Sequence, residues 1–160
     1  MPFLKESFSP IASNATQILI LGTMPSDASL EKKEYYGHAR NRFWRIISEI
    51  TQSETPLHYE EKIDLLVKHK IGLWDIAQKA ERKGSLDSSM KDVIPNELEE
   101  FLQNHPKIHT ICFNGMKAQK LHDQFFLRKN KIKYLLLPSS SPANARMSID
   151  ALILYWREIL

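Results

Sequence analysis

The apolar run QILILG extends from Gln17 to Gly22 and is followed directly by the loop sequence TMPS. An uninterrupted apolar run of this length is typical of a parallel strand buried on both faces, because a strand with one face in water would alternate with polar residues. Three further runs have the same character, namely Ile71–Ile76, His109–Phe113 and Lys133–Leu137. Together the four runs predict a four-stranded parallel sheet.

Helical patterns separate these strands, since apolar residues recur at intervals of three or four positions, as Phe43, Ile46, Ile47 and Ile50 do. The predicted helices are Arg42–Ile50, Tyr59–His69, Asn96–Asn104, Met116–Phe126 and Ser148–Leu160. Strands that alternate with helices predict an α/β fold with helices on both faces of the sheet. The 160 residues fit a single domain spanning 1–160.

Composition favours a protein of the reducing cytoplasm. The single cysteine, Cys112, cannot form an internal disulfide. The start, MPFLKESFSP, lacks the apolar stretch behind basic residues that marks a signal peptide. The longest apolar runs are far shorter than the roughly 20 residues of a membrane helix, so we expect no membrane partner.

Charge is distributed unevenly along the chain, although the formal net charge is only +3. Residues 107–147 contain eight Lys or Arg and a single Asp, whereas residues 49–106 contain seven basic and twelve acidic residues. This asymmetry is consistent with one face that binds a polyanion such as nucleic acid. A solvated basic surface without a partner explains the charge alone equally well.

Small and polar residues follow three of the four predicted strands. They are Thr23–Ser26 after the first, Asn114 and Gly115 after the third, and Pro138–Asn144 after the fourth. Ligands of parallel sheets bind beyond the carboxyl ends of the strands. We therefore expect these loops to converge on one crevice.

Two tyrosines, a histidine, an asparagine and two arginines lie within YYGHARNRFW, from Tyr35 to Trp44. Aromatic rings can stack on bases, and arginines can contact phosphates. Asn41 has a second interpretation as the cap of the helix predicted to begin at Arg42. Asn114 similarly has a second interpretation as a turn residue or helix cap.

Several other classes of site lack their sequence signals. No Gly-x-Ser-x-Gly elbow accompanies the serines at 139–141, and no Gly-rich phosphate loop is present. No Cys/His cluster has metal-ligand spacing, since Cys112 is the single cysteine and the six histidines are scattered. The residue patterns alone therefore indicate an α/β domain with a nucleic-acid ligand as one option.

Four segments in this order and spacing resemble the uracil-DNA glycosylase superfamily, and most closely its hypoxanthine (deoxyinosine) branch. They are GTMPS (Gly22–Ser26), YYGHARNRFW (Tyr35–Trp44), FNG (Phe113–Gly115) and LPSSSPAN (Leu137–Asn144). The resemblance implies a three-layer α/β/α fold with a central four-stranded parallel sheet and no metal or organic cofactor. It implies a monomer that acts on double-stranded DNA containing deaminated bases. The activity would be hydrolysis of the N-glycosidic bond of a flipped base, preferably hypoxanthine, which leaves an abasic site.

The sequence departs from better-known relatives at positions that matter for chemistry. Met24 stands where many members carry the Asp or Asn that handles the attacking water, and Ser139 stands where many carry His or Asn. Ala39 replaces an expected proline. The hypoxanthine branch is similar at the first two positions and is thought to use asparagines elsewhere. Those positions match Asn41 and Asn114, which we expect to be catalytic. The expected assignment is Asn114 at the base edge and Asn41 at the water or the base, and the exchanged assignment stays open.

The remaining expected contacts fall into three groups. Base contacts are expected from Thr23, Met24, Tyr36, His38 and Ser139. Contacts to the DNA backbone are expected from Ser26, Arg40, Ser140, Ser141 and Lys117. The loop that would fill the space of the flipped base is expected to comprise Ala143, Asn144, Ala145 and Arg146, up to Met147.

Three other functions stay open at this stage. A uracil-preferring glycosylase would use the same pocket. A non-catalytic nucleic-acid-binding domain of the same fold is favoured by Met24, which cannot orient a water, and by Ser139, which stands in place of the usual His or Asn. A serine hydrolase or nucleotide-binding module ranks last, because it leaves the residues of YYGHARNRFW unexplained.

Overall fold

The computed structural model of this chain describes residues 4–86 and 90–160, and these contain seven strands and six α-helices. The strands are β1 (Leu4–Glu6), β2 (Ile18–Gly22), β3 (Ile71–Asp75), β4 (Ala77–Glu81), β5 (Lys91–Pro95), β6 (Thr110–Asn114) and β7 (Lys133–Leu137). The helices are α1 (Asp27–Lys32), α2 (Phe43–Ile50), α3 (Tyr59–Lys68), α4 (Leu98–Asn104), α5 (Met116–Phe125) and α6 (Ile149–Trp156).

The central sheet has four parallel strands in the order β3-β2-β6-β7. Ile18 at the start of β2 pairs with Ile71 on one side and Thr110 on the other. The predicted four-stranded parallel sheet is thereby confirmed, with strand ends shifted by at most one residue. All four carboxyl ends lie at the same edge, which brings their following loops together.

Alternating side chains of β2 divide the protein into three layers, as predicted. Ile18 and Ile20 face a core shared with α2 and α6, whereas Leu19 and Leu21 face a second core shared with α4 and α5. All four are nearly or fully buried. Each contributes roughly 1.5–3 kcal/mol by leaving water, which explains why positions 18–21 contain no polar residue.

The five predicted helices are present in the predicted order as α2 to α6, but not every end agrees. Helix α2 begins at Phe43 and helix α4 at Leu98, later than predicted. Helix α6 ends at Trp156, and a single 3-10 turn follows. The Ser148 hydroxyl caps α6 by accepting from the Ala151 N–H at 3.1 Å. Within residues 4–86 and 90–160, no helix combines the length and apolar character needed to cross a membrane.

A second sheet was not predicted. Strands β1, β4 and β5 form it in antiparallel order, with β4 in the middle. In β4 only Ala77 and Ala80 are buried. Alanine is small and uncommon in strands, so these two residues do not produce a pattern that identifies a strand. Because β4 follows β3 after one residue, this sheet lies beside the cleft end of the central sheet. Helix α1 was also missed, since it is short.

Candidate active site

One cleft opens at the carboxyl ends of the central strands, where the three loops were expected to converge. Nine residues expected in the site line it: Thr23, Met24, Ser26, Tyr36, Asn41, Asn114, Ser139, Ser140 and Ser141. These residues come from segments that are far apart in the chain, and the parallel sheet brings the segments together at one edge.

The carboxamide of Asn41 has a fixed orientation. Its Oδ1 accepts from the backbone N–H of Phe43 at 3.0 Å and from the Ser140 hydroxyl at 2.9 Å. A backbone N–H can only donate, so the atom that faces it must be the oxygen. Among the residues that the structure describes, none accepts a hydrogen bond from Asn41 Nδ2. The Asn41 side chain therefore caps the start of α2 and also offers a donor at the cleft.

Asn114, at the end of β6, is held on both sides. Its Oδ1 accepts from the Ser140 N–H at 2.9 Å, and its Nδ2 donates to the Tyr36 hydroxyl and to Ser140 Oγ, each at 3.0 Å. Both amide hydrogens are thus engaged with protein atoms. A direct contact of this nitrogen with a base would require one of these bonds to be exchanged.

Ser140 differs from the role expected for it. Its side chain is 0% exposed, and its hydroxyl joins the amides of Asn41 and Asn114. The expected phosphate contact is incompatible with this burial, because no route for a phosphate reaches an oxygen that is fully enclosed. Ser141 is only partly buried and lines the cleft, so it stays a candidate for that contact.

Tyr36 has a left-handed backbone, with φ at 53°. This conformation costs a bulky residue about 1–3 kcal/mol and needs support from its surroundings. That support includes a stacking contact with Phe43, whose ring centre lies 4.2 Å away, and the bond from Asn114 to its hydroxyl. Tyr36 is thereby positioned at the cleft, and its expected stacking on a base stays a prediction.

Asp75 was not predicted as a site residue, because it lies within a run that predicts a buried strand. It is the last residue of β3, lines the cleft and is only 4% exposed. The Asn96 amide donates to its carbonyl oxygen at 2.8 Å and fixes the backbone there. A Cβ atom at Gly22 would lie 2.7 Å from Asp75 Oδ1, so this approach requires glycine. The sequence feature that could have identified Asp75 as a site residue is a charged side chain at the end of an apolar run.

The Asp75 carboxylate influences a neighbouring group. Burial raises the pKa of the Tyr35 hydroxyl well above its ordinary value, and the negative charge of Asp75 is the next largest cause. Tyr35 also lines the cleft, and its hydroxyl donates to the Ser9 carbonyl at 2.9 Å. It therefore stays neutral and acts as structural support.

Arg82 was also missed, and Arg42 was considered only as a contact to phosphates. Arg82 is 1% exposed, lines the cleft, and donates to the Gly84 carbonyl at 3.1 Å and to the Pro25 carbonyl. Arg42 donates to three carbonyls of the loop after β7, at Ser141 (2.8 Å), Asn144 (3.0 Å) and Met147. The planar guanidinium suits such multiple contacts. Arg42 therefore holds the shape of the loop that carries the cleft serines.

Other expected site residues lie at the edge of the cleft or outside it. His38 lies with Arg40 in an adjoining surface groove, where its Nδ1 accepts from the Arg40 N–H at 3.0 Å. Ser26 lines the cleft, but its hydroxyl caps α1 by accepting from the Ser29 N–H at 3.2 Å. Lys117 is exposed in the first turn of α5. For His38, the structure does not provide the expected proximity to the cleft.

The loop expected to fill the space of the flipped base lies beside the cleft. Ala143, Ala145 and Arg146 are exposed, whereas Asn144 is partly buried and donates from Nδ2 to the Ser139 carbonyl at 3.0 Å. The exposed three can reach a ligand without rearrangement. Asn144 instead stabilises the loop through its bond to Ser139. In residues 4–86 and 90–160, no three His, Cys, Asp or Glu side chains gather as metal ligands do.

Comparisons with known proteins agree on one family. A family model described as the uracil DNA glycosylase superfamily matches residues 10–159. A curated relative from Methanosarcina acetivorans, named hypoxanthine DNA glycosylase, is 39% identical over 146 residues that make up 91% of each chain. A relative of the same name from Methanosarcina barkeri is 35% identical over 89% of each chain.

The fold comparison leads to the same group. The solution NMR structure of a candidate uracil DNA glycosylase from Methanosarcina acetivorans matches with a TM-score of 0.83. The match is 36% identical in sequence and covers 98% of each chain. Similarity of this extent includes the central sheet and all the loops that form the cleft.

Proposed function

This chain belongs to the uracil DNA glycosylase superfamily, and from that membership we propose that it excises deaminated bases, preferably hypoxanthine, from double-stranded DNA. The names of the two Methanosarcina relatives support hypoxanthine as the base. The observation that carries the proposal is the Asn41 amide at the cleft, whose oxygen is bound by Phe43 and Ser140 and whose nitrogen donates to no residue that the structure describes.

The reaction begins with rotation of the damaged nucleotide out of the helix. Unpairing and unstacking cost a few kcal/mol, and less for a deaminated base, because it pairs poorly. The exposed residues Ala143, Ala145 and Arg146 are placed to occupy the vacated position. Arg40, Ser141 and Lys117 would hold the flanking phosphates.

Cleavage follows the course of other glycoside hydrolyses, with positive charge developing at C1′. The purine departs with negative charge on its ring. Asn41 Nδ2 is a preorganised donor for that charge, and one such donor contributes roughly 3 kcal/mol to transition-state stabilisation. Asn114 supports this arrangement through Ser140 and Tyr36. A positioned water can then attack the cationic sugar without a carboxylate in the first loop, and the proton that the water loses neutralises the departing purine anion.

Asp75 provides a physical basis for selecting deaminated bases. Deamination of adenine converts N1 from an acceptor into an N–H donor, and the N3 of uracil also carries a hydrogen. An ionised carboxylate accepts hydrogen bonds and cannot donate them. In its ionised form, Asp75 in the cleft would therefore favour hypoxanthine or uracil and disfavour adenine, whose N1 lone pair would face a negative charge.

A uracil-preferring glycosylase is the second candidate, because Asp75 would also accept from uracil and because the similar NMR structure carries the uracil name. A panel of otherwise identical duplexes containing deoxyinosine, deoxyuridine or deoxyadenosine separates these possibilities. After incubation with the protein, hot alkali cleaves the strand at each abasic site. We expect fastest cleavage at deoxyinosine. Fastest cleavage at deoxyuridine would support the second candidate, and no cleavage of any duplex would support a non-catalytic DNA-binding domain.

We further propose that residues 1–160 act as one domain and as a monomer in the cytoplasm. The two cores share strand β2, and the buried thiol of Cys112 suits a reducing compartment. Light scattering after size-exclusion chromatography tests the monomer, with and without a DNA duplex. Excision in EDTA tests the absence of a metal requirement, and we expect the rate to be unchanged.

A further inference from the structure

Ser140 has one hydroxyl proton, and its surroundings determine where that proton lies. Asn114 Nδ2, 3.0 Å away, can only donate, so Ser140 Oγ accepts from it. The proton of Ser140 therefore points to Asn41 Oδ1, at 2.9 Å. The result is a directed chain of hydrogen bonds from Asn114 through Ser140 to Asn41.

The backbone of Ser140 also takes part. Its N–H donates to Asn114 Oδ1 at 2.9 Å, so residue 140 binds both polar atoms of the Asn114 side chain. This pair of contacts fixes the Asn114 amide against rotation. Asn114 in turn holds the Ser140 hydroxyl in the one orientation that directs its proton to Asn41.

The neighbouring serines have different partners. Ser139 Oγ accepts from the Ser141 N–H at 3.1 Å, and Ser141 Oγ accepts from the Ala143 N–H at 3.1 Å. Both therefore support the local loop. Among the three, in the part of the chain that the structure describes, Ser140 is the serine bonded to both asparagines and the one that is 0% exposed.

We propose that Ser140 is a positioning residue that holds the Asn41 carboxamide with its nitrogen toward the departing base. This inference rests on the proposed function. A rotated Asn41 amide would direct its oxygen at a base that is gaining negative charge, and would repel it. The Ser140 hydroxyl opposes that rotation, because its proton needs an acceptor and would face an N–H group instead. Ser140 thus acts on the reaction through Asn41.

Single-turnover excision by Ser140→Ala tests the proposal. We expect the rate on a deoxyinosine duplex to fall between about 10- and 100-fold, the range associated with a misoriented catalytic group. Affinity for the duplex should change less than about twofold, since Ser140 is buried and reaches no phosphate. Ser48→Ala is the matched control, because Ser48 is 1% exposed and its hydroxyl donates within α2 to the Trp44 carbonyl. It should excise at the wild-type rate.

Two further readouts separate positioning from a general structural role. In an Asn41→Ala background, Ser140→Ala should lower the rate no further, because the amide that the hydroxyl orients is gone and Asn114 keeps its bonds to the residue 140 N–H and to Tyr36. Loss by the same factor in both backgrounds would overturn the proposal, as would a wild-type rate in Ser140→Ala. NMR of the side-chain amides provides the second readout. Ser140→Ala should shift or broaden the NH₂ signal of Asn41, and Ser48→Ala should not.

These readouts also distinguish this inference from the proposed function. If the wild-type protein excises no base, the proposed function fails, and the amide signals still report whether Ser140 orients Asn41. An unchanged Asn41 signal in Ser140→Ala would overturn the inference even then. If the wild-type protein is active and Ser140→Ala is equally active, only the inference fails.

Discussion

The backbone N–H of Phe43 donates a 3.0 Å hydrogen bond to Oδ1 of Asn41, so the first turn of α2 fixes the amide of the leading catalytic candidate. Asn41 has two interpretations, one as a helix cap and one as a chemical group. They are compatible, because the oxygen serves the helix and the nitrogen remains for a ligand. A helix end is a rigid support, which suits a group that must be aligned before reaction.

Replacing Asn41 by aspartate tests the nitrogen alone. Asn41→Asp keeps an oxygen for Phe43 and Ser140 but exchanges the donor for a second acceptor. We expect single-turnover excision to fall at least about 100-fold with little change in thermal stability. Asn41→Ala and Asn114→Ala should show losses of at least the same size. Asn130→Asp, an exposed change before β7, serves as control. A near-normal rate for Asn41→Asp would contradict the assignment.

Replacing Asp75 by asparagine tests the selection of the base. An amide can turn either its donor or its acceptor toward the base, so the distinction between N1–H and a bare N1 weakens. We expect Asp75→Asn to lower excision of hypoxanthine about 10-fold or more and to raise the ratio of adenine to hypoxanthine excision. Asp64→Asn, exposed on α3, is the matched control. An unchanged ratio would exclude Asp75 from base selection.

Salt dependence tests the polyanion partner. Binding of a duplex should weaken steeply as salt rises, because each phosphate contact releases counterions. Lys117→Ala should lower the slope of log affinity against log salt by about 1. Lys107→Ala should leave the slope unchanged, since Lys107 precedes β6 at the opposite end of the sheet. Affinity independent of salt would argue against DNA as the partner.

Replacing Arg42 by lysine tests the loop after β7. A lysine cannot donate in one plane to the carbonyls of Ser141, Asn144 and Met147. We expect Arg42→Lys to reduce excision roughly 10-fold or more and to accelerate proteolysis in this loop. Arg157→Lys, exposed at the carboxyl end, should change neither. Wild-type proteolysis of Arg42→Lys would show that the loop keeps its shape without the guanidinium.

The buried thiol of Cys112 gives a prediction about pH. Burial raises the pKa of Cys112 from 9.0 to about 12, against the opposing charge of Lys133. Because the folded pKa exceeds the unfolded one, this contribution to stability is complete below pH 9 and is lost as the pH rises toward 12. The free energy of unfolding, measured in urea from pH 8 to 10.5, should decrease as the pH rises. It should decrease less steeply in Cys112→Ala. Rapid native-state reaction with a thiol reagent at pH 8 would contradict the burial.

Part of the site was predictable from short segments. Thr23, Met24, Asn41, Asn114 and Ser139 were expected at one crevice, and all of them line the cleft. Carboxyl ends of parallel strands meet at one edge, so the positions of the strands alone locate their loops. Asp75 escaped the same reasoning because its apolar neighbours made it look like the interior of a strand.

The sequence by itself determined the four central strands and the sides on which helices cover them. Burial on both faces requires uninterrupted apolar residues, and that requirement is visible within five or six positions. Only the tertiary structure decided the strand order, the second sheet and the partners of Ser140. The bonds of the Ser140 hydroxyl to Asn114 and Asn41 join residues that are 26 and 99 positions apart. Local periodicity contains no information on such contacts, because they form only after the sheet has brought its edges together.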